Sequence, residues 1–107
     1  MNAKAWKGGM FGISVGKANA NAFFDRSLLS AAVEIDGTYF HFTLPETFWT
    51  TCPEIRGAVI GRWLKARGLD VWPRGKPSSV ELIPVAGRNR FKLQAKQQTP
   101  ISNGRPT

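Results

Sequence analysis

Residues 29–44, LSAAVEIDGTYFHFTL, decide the fold. Asp36-Gly37 is a favoured pair for a type I′ turn, and apolar and polar residues alternate on both sides of it. The pairs predicted on the apolar face are Ile35 with Thr38, Val33 with Phe40, Ala31 with Phe42 and Leu29 with Leu44; those on the polar face are Glu34 with Tyr39 and Ala32 with His41. A slip of one residue would turn the apolar side chains toward solvent, so the sequence predicts one register of an antiparallel hairpin.

A second hairpin is predicted over residues 80–95, with Gly87-Arg88 at its turn. Its apolar face pairs Val80 with Ala95, Leu82 with Leu93 and Pro84 with Phe91, and its reverse face pairs Glu81 with Gln94, Ile83 with Lys92 and Val85 with Arg90. Residues 11–16 alternate large apolar and small side chains, which predicts one strand before the first hairpin.

One amphipathic helix is predicted near residues 53–67, between the two hairpins. Pro53 suits the first helical position, and Gly68 suits the stop. Ile55, Val59 and Trp63 form an apolar stripe that would lie on a sheet.

These elements predict an α+β fold. The expected sheet is mainly antiparallel and has about five strands, made of two hairpins and an N-terminal strand. Enough curvature would turn this sheet into a small open barrel. We expect a single globular basic domain over residues 1–96, in which residues 1–9 form a flexible arm, and a disordered tail over residues 97–107.

Composition narrows the class of protein. The chain has 107 residues, a length that suits one domain, and its single cysteine, Cys52, excludes an intramolecular disulfide framework. No apolar run approaches the ~18 residues that cross a bilayer. We therefore expect a small cytoplasmic protein of bacterial type that does not act in a membrane.

Charge is the strongest functional signal. Fifteen Lys and Arg against seven Asp and Glu give a net charge of +8, and residues 82–107 carry five cations and no acid. A basic domain of this kind favours nucleic acid as its partner, DNA and RNA both being open, with an anionic surface second.

The predicted contacts with nucleic acid lie on the last hairpin, in the loop at 72–76 and on the helix. On the last strand Arg90, Lys92, Gln94 and Lys96 share one face, and successive members of this row lie about 6.6 Å apart, a spacing that can follow a phosphate backbone. The full predicted set is Arg88, Arg90, Lys92, Lys96, Trp72, Arg74, Lys76, Arg62 and Lys65, and any base readout would come from Trp72, Asn89 or Gln94. The competing explanation is an edge strand made positive to block aggregation, with Trp72 closing the core.

Enzymatic chemistry is the alternative. No metal site or cofactor is predicted, because one histidine and one cysteine cannot build a zinc site without several carboxylates. A metal-free ribonuclease remains open, in which Tyr39 and His41, on the same hairpin face, would exchange protons beside basic residues. A module that binds an acidic protein partner is the third possibility.

Overall fold

The computed structural model describes residues 1–96 as an α+β fold with one seven-stranded sheet and three short helices. The strands are β1 (Asn2–Gly8), β2 (Met10–Ser14), β3 (Ser30–Ile35), β4 (Thr38–Thr43), β5 (Glu54–Arg56), β6 (Ser79–Pro84) and β7 (Arg90–Ala95). The helices are α1 (Lys17–Phe23), α2 (Glu46–Thr50) and α3 (Ala58–Ala66). The predicted tail at 97–107 lies outside the described residues.

The sheet has the order β4-β3-β7-β6-β1-β2-β5 and is antiparallel except where β3 pairs with β7. It curves until its two edges, β4 and β5, come into contact range of each other. The result is a nearly closed barrel. It confirms the predicted α+β fold with a mainly antiparallel sheet, and it shows that the sheet is curved toward a barrel.

Both predicted hairpins are confirmed in their registers, from Ile35 opposite Thr38 in the first to Val80 opposite Ala95 in the second. Asp36 and Gly37 adopt positive φ angles of 50° and 86°, as a type I′ turn requires. The prediction that Leu29 shares the apolar face is wrong, because its side chain is 80% exposed. Leu29 lies before β3 begins, so its side chain is not held on the pleated inner face, although its carbonyl still accepts the Leu44 N–H.

Two strands were not predicted, and one of them corrects the expected N-terminal arm. Residues 2–8 form β1, which pairs with β2 on one side and with β6 on the other. Ala3 and Ala5 are buried there. Their side chains are too small to give a strong alternating pattern, yet they suit the tightly curved inner face.

The predicted helix at 53–67 is wrong in its first half. Residues 54–56 form β5 and pair with β2, and the Val15 N–H donates to the Pro53 carbonyl at 2.9 Å. Gly12 permits this pairing, since a Cβ there would lie 2.6 Å from the Ile55 carbonyl oxygen. The predicted end of the helix is confirmed, because Gly68 follows α3 and adopts a positive φ of 69°.

The core lies between the inner face of the sheet and the three helices. Ala20 of α1, Phe48 of α2 and Leu64 of α3 are buried against apolar side chains of the strands. The exposed side of α3 therefore faces away from the sheet, whereas the buried side of α3 covers the inner face of the sheet. Among residues 1–96 no helix is long and apolar enough to cross a membrane.

Candidate nucleic-acid interface

The basic strand is an interior strand of the sheet. β7 is paired with β3 on one side and with β6 on the other. Its inward side chains, Phe91 and Leu93, are buried, and its outward side chains Arg90, Lys92 and Gln94 are exposed. An interior strand has no free edge to protect, so protection against edge-to-edge aggregation does not explain the positive charge.

Asn89 locks the start of this strand and corrects one prediction. Its side chain is only 5% exposed; its Oδ1 accepts the Asp25 N–H at 2.6 Å, and its Nδ2 donates to the carbonyls of Asp25 and Ser30, both at 3.1 Å. The Asn89 carbonyl accepts the Ala32 N–H at 2.8 Å, which continues the parallel pairing of β3 and β7. Because its polar atoms are used inside the fold, the expectation that Asn89 reads a base is wrong.

A groove lies on the outer face beside Arg90. In the sheet, Ala32 stands between His41 and Arg90. The small Ala32 side chain leaves room for the Arg90 guanidinium to reach the Tyr39 ring on β4, 4.8 Å from its centroid. The groove has a volume of about 450 Å³ and is lined by Leu28, Leu29, Ser30, Ala32, Tyr39, His41, Arg88, Asn89 and Arg90. Sequence patterns missed the groove because only the long-range pairing of β3 with β7 creates it.

Arg88 reaches the same groove, but its charge is compensated. Its guanidinium donates to the Asp25 carboxylate at 2.8 Å. Asp25 also accepts hydrogen bonds from the Ser27 hydroxyl and backbone N–H, and these bonds, with a smaller effect of Arg88, lower the pKa of Asp25. Arg88 therefore adds less to the positive potential of the face than Arg90 and Lys92 do.

Neutralising Asp25 should strengthen binding to nucleic acid. Asp25→Asn keeps an oxygen that accepts the Ser27 hydrogen bonds but removes the negative charge that pairs with Arg88. We expect affinity for a labelled oligonucleotide to rise by about 3-fold at low salt, measured by fluorescence anisotropy. Asp70→Asn is the matched control, since it removes the same charge from a residue that forms none of the ion pairs found among residues 1–96. Equal gains in both variants would show that only net charge matters.

Trp72 packs on the body of the fold. Its ring is half-buried and meets Phe11 edge-on at 6.4 Å between centroids. This packing favours the interpretation that Trp72 closes the core. Arg74 and Lys76 are exposed in the loop that leads to the start of β6. Lys96 follows β7 at that same end of the sheet, because Val80 pairs with Ala95.

The helix cations lie elsewhere. Arg62 and Lys65 are exposed on the solvent side of α3, whose buried side covers the inner face of the sheet. They lie outside the groove and face away from the sheet. The end of the same helix is nearer to β7, because Trp63 and Arg67 line a pocket together with Lys92. The predicted set thus divides into three places: the outer face with its groove (Arg88, Arg90, Lys92), the end of the sheet (Lys96, Arg74, Lys76, with Trp72 packed inward) and the far side of α3 (Arg62, Lys65).

The metal site and the proton-transfer pair considered from the sequence have different outcomes in the structure. Within residues 1–96, no three His, Cys, Asp or Glu side chains are grouped so that they could hold a metal ion. Tyr39 and His41 both point outward on β4 and line the groove.

Comparisons of the chain with protein-family models, curated proteins and solved structures find no significant match. We therefore infer function from the residues of the chain itself.

Proposed function

We propose that this protein binds nucleic acid through the outer face of β7 and the groove beside it. Arg90 and Lys92 supply phosphate contacts, and Lys96, Arg74 and Lys76 extend the positive surface toward the end of the sheet. A nucleic-acid partner and a single cysteine fit a reducing cytoplasm, where we propose that the protein acts.

The interior position of β7 is the observation that carries this proposal. Arg90 and Lys92 lie on a strand that is paired on both sides, so their charge is not needed to protect an exposed edge strand from aggregation. Glu34, between Tyr39 and Lys92, is the acidic neighbour of this row, and it forms none of the ion pairs found among residues 1–96. Neither Arg90 nor Lys92 forms an ion pair within residues 1–96, so both can still bind an external anion.

Fluorescence anisotropy tests the proposal directly. Labelled double-stranded DNA, single-stranded DNA and structured RNA are titrated at about 50 mM salt, where phosphate contacts bind strongly. We expect a Kd in the micromolar range or tighter for at least one of the three. If none of them binds, the proposal fails, and an acidic protein becomes the better partner for the positive face.

A second candidate function is metal-free cleavage of RNA at the same groove. The structure places Tyr39 and His41 beside Arg90, so two groups that can exchange protons stand next to a cation that can stabilise a phosphorane. This arrangement gives the ribonuclease alternative a site with the residues that such chemistry needs.

Two replacements test the cleavage hypothesis. His41→Ala and Tyr39→Phe should each reduce cleavage of a labelled RNA by about 100-fold, because each removes a group that moves a proton. Thr43→Ala, at an exposed position on the same strand, is the control and should cleave at the unaltered rate. Cleavage that survives both replacements, or a clean preparation that does not cleave, would rule out this function.

A further inference from the structure

The groove beside Arg90 combines apolar, aromatic and cationic groups in one open site. Its rim includes Leu29, which is 80% exposed, and Tyr39, which is 39% exposed. Both are among the most exposed large hydrophobic side chains of residues 1–96. Exposed apolar side chains that are rimmed by polar and cationic groups are typical of surfaces that bind a ligand, so the groove has the composition of a binding site.

The geometry of the floor sets the size of the ligand. Ala32 is small and half-buried, and its neighbours across the sheet, His41 and Arg90, carry much longer side chains. Those neighbours stand two strand spacings apart, about 10 Å. The Arg90 guanidinium reaches across part of this width to the Tyr39 ring, so the space left for a ligand lies beside the guanidinium, over the Ala32 methyl group.

The rigidity of the groove supports the same assignment. Asn89, itself buried, fixes the start of β7 through three partly buried hydrogen bonds, and the hairpin register fixes Tyr39 and His41. Arg90 is held over the Tyr39 ring. The site is therefore preformed, which lowers the entropy that binding costs.

Resting on the proposed nucleic-acid binding, we infer that the groove takes one unpaired nucleobase, so that the protein selects single strands over duplexes. In a duplex the faces of the bases are stacked on their neighbours and cannot contact Leu29 or the Tyr39 ring. In a single strand a base can unstack from its neighbours and lie in the groove, while the phosphate of the same nucleotide contacts Arg90. The phosphate row on β7 then follows the adjoining backbone.

Three probes separate base insertion from phosphate binding without any variant. They are an oligothymidine of about 20 nucleotides, an abasic strand of equal length and a duplex of equal length, with oligouridine as the RNA arm. A purely electrostatic surface would favour the duplex, because its charge density is higher. We expect the oligothymidine to bind at least ~10-fold more tightly than the abasic strand and the duplex.

A groove-filling variant locates the base. Ala32→Leu keeps every cation, although it displaces the Arg90 guanidinium from the Tyr39 ring, and it occupies the floor. We expect it to weaken oligothymidine binding by about 10-fold and duplex binding by no more than about 2-fold. Ser14→Leu is the matched control, since Ser14 is also a small, half-buried residue on an interior strand, paired with Lys4. Leu29→Ser tests the rim at a side chain that packs against no core residue, and should cost about 3-fold.

The outcomes separate the inference from the proposed function. Equal affinity for the oligothymidine and the abasic strand, or an Ala32→Leu variant that is folded and binds like the wild type, would overturn base insertion and leave phosphate binding intact. Absence of binding to all the probes would overturn both.

Discussion

Exchanging Arg90 and Lys92 together for Glu is expected to weaken nucleic-acid binding by about 100-fold at low salt. The change removes two phosphate contacts from the outer face and puts two anions in their place, next to Glu34. Anisotropy with the tightest-binding oligonucleotide measures the loss, and a thermal melt confirms that the variant is folded. The expected effect is large because both positions are exposed and neither has an ion-pair partner among residues 1–96.

Arg62→Glu with Lys65→Glu is the matched control. It makes the same change in net charge on the exposed side of α3, outside the groove and outside the row of cations on β7. We expect a loss of only about 3-fold, from the weaker general field of the protein. Equal losses in the two double variants would contradict a binding face on β7 and would indicate that only net charge attracts nucleic acid.

Asn89→Ala is expected to lower the free energy of unfolding by about 2–4 kcal/mol. Three partly buried hydrogen bonds are lost, and the Asp25 N–H and the Ser30 carbonyl lose their Asn89 partner. Asn89 also has a φ of 52°, which alanine adopts poorly. Urea unfolding measures the difference.

Asn89→Gly separates the two causes. Glycine adopts positive φ freely but restores none of the hydrogen bonds. We expect it to recover about 1 kcal/mol relative to the alanine variant. If Asn89→Ala unfolds at the same urea concentration as the wild type, the Asn89 hydrogen bonds do not hold β7 against β3.

Local sequence determined the two hairpins, because a turn pair and a period of two residues fix the register within one short segment. Asp36-Gly37 set the first. The second has the predicted register, but its chain turns over residues 86–89, with positive φ at Gly87 and Asn89. The same reasoning failed at residues 54–56, where Pro53 and the apolar stripe indicate a helix. The Gly12 backbone on β2 approaches those residues closely and takes them into the sheet, a contact that no local pattern shows.

The candidate site was predictable only in parts. The alternation on the last strand correctly placed Arg90 and Lys92 outward, and the first hairpin correctly placed Tyr39 and His41 on one face. Their meeting depends on the parallel pairing of β3 with β7, which joins segments more than 50 residues apart in the chain. The buried side chain of Asn89 directs that pairing, and an asparagine beside a turn does not reveal such a role in the sequence.

The salt dependence of binding tests the central claim most directly. The logarithm of Kd is measured against the logarithm of salt concentration for the wild type and for Arg90→Gln with Lys92→Gln, which removes the two charges without adding repulsion. Each phosphate contact contributes about 0.7–0.9 to the slope, so the variant should lose roughly 1.4–1.8. A slope that is roughly 1.4–1.8 steeper for the wild type than for the variant would support phosphate contacts on β7. An identical slope in both proteins would contradict them.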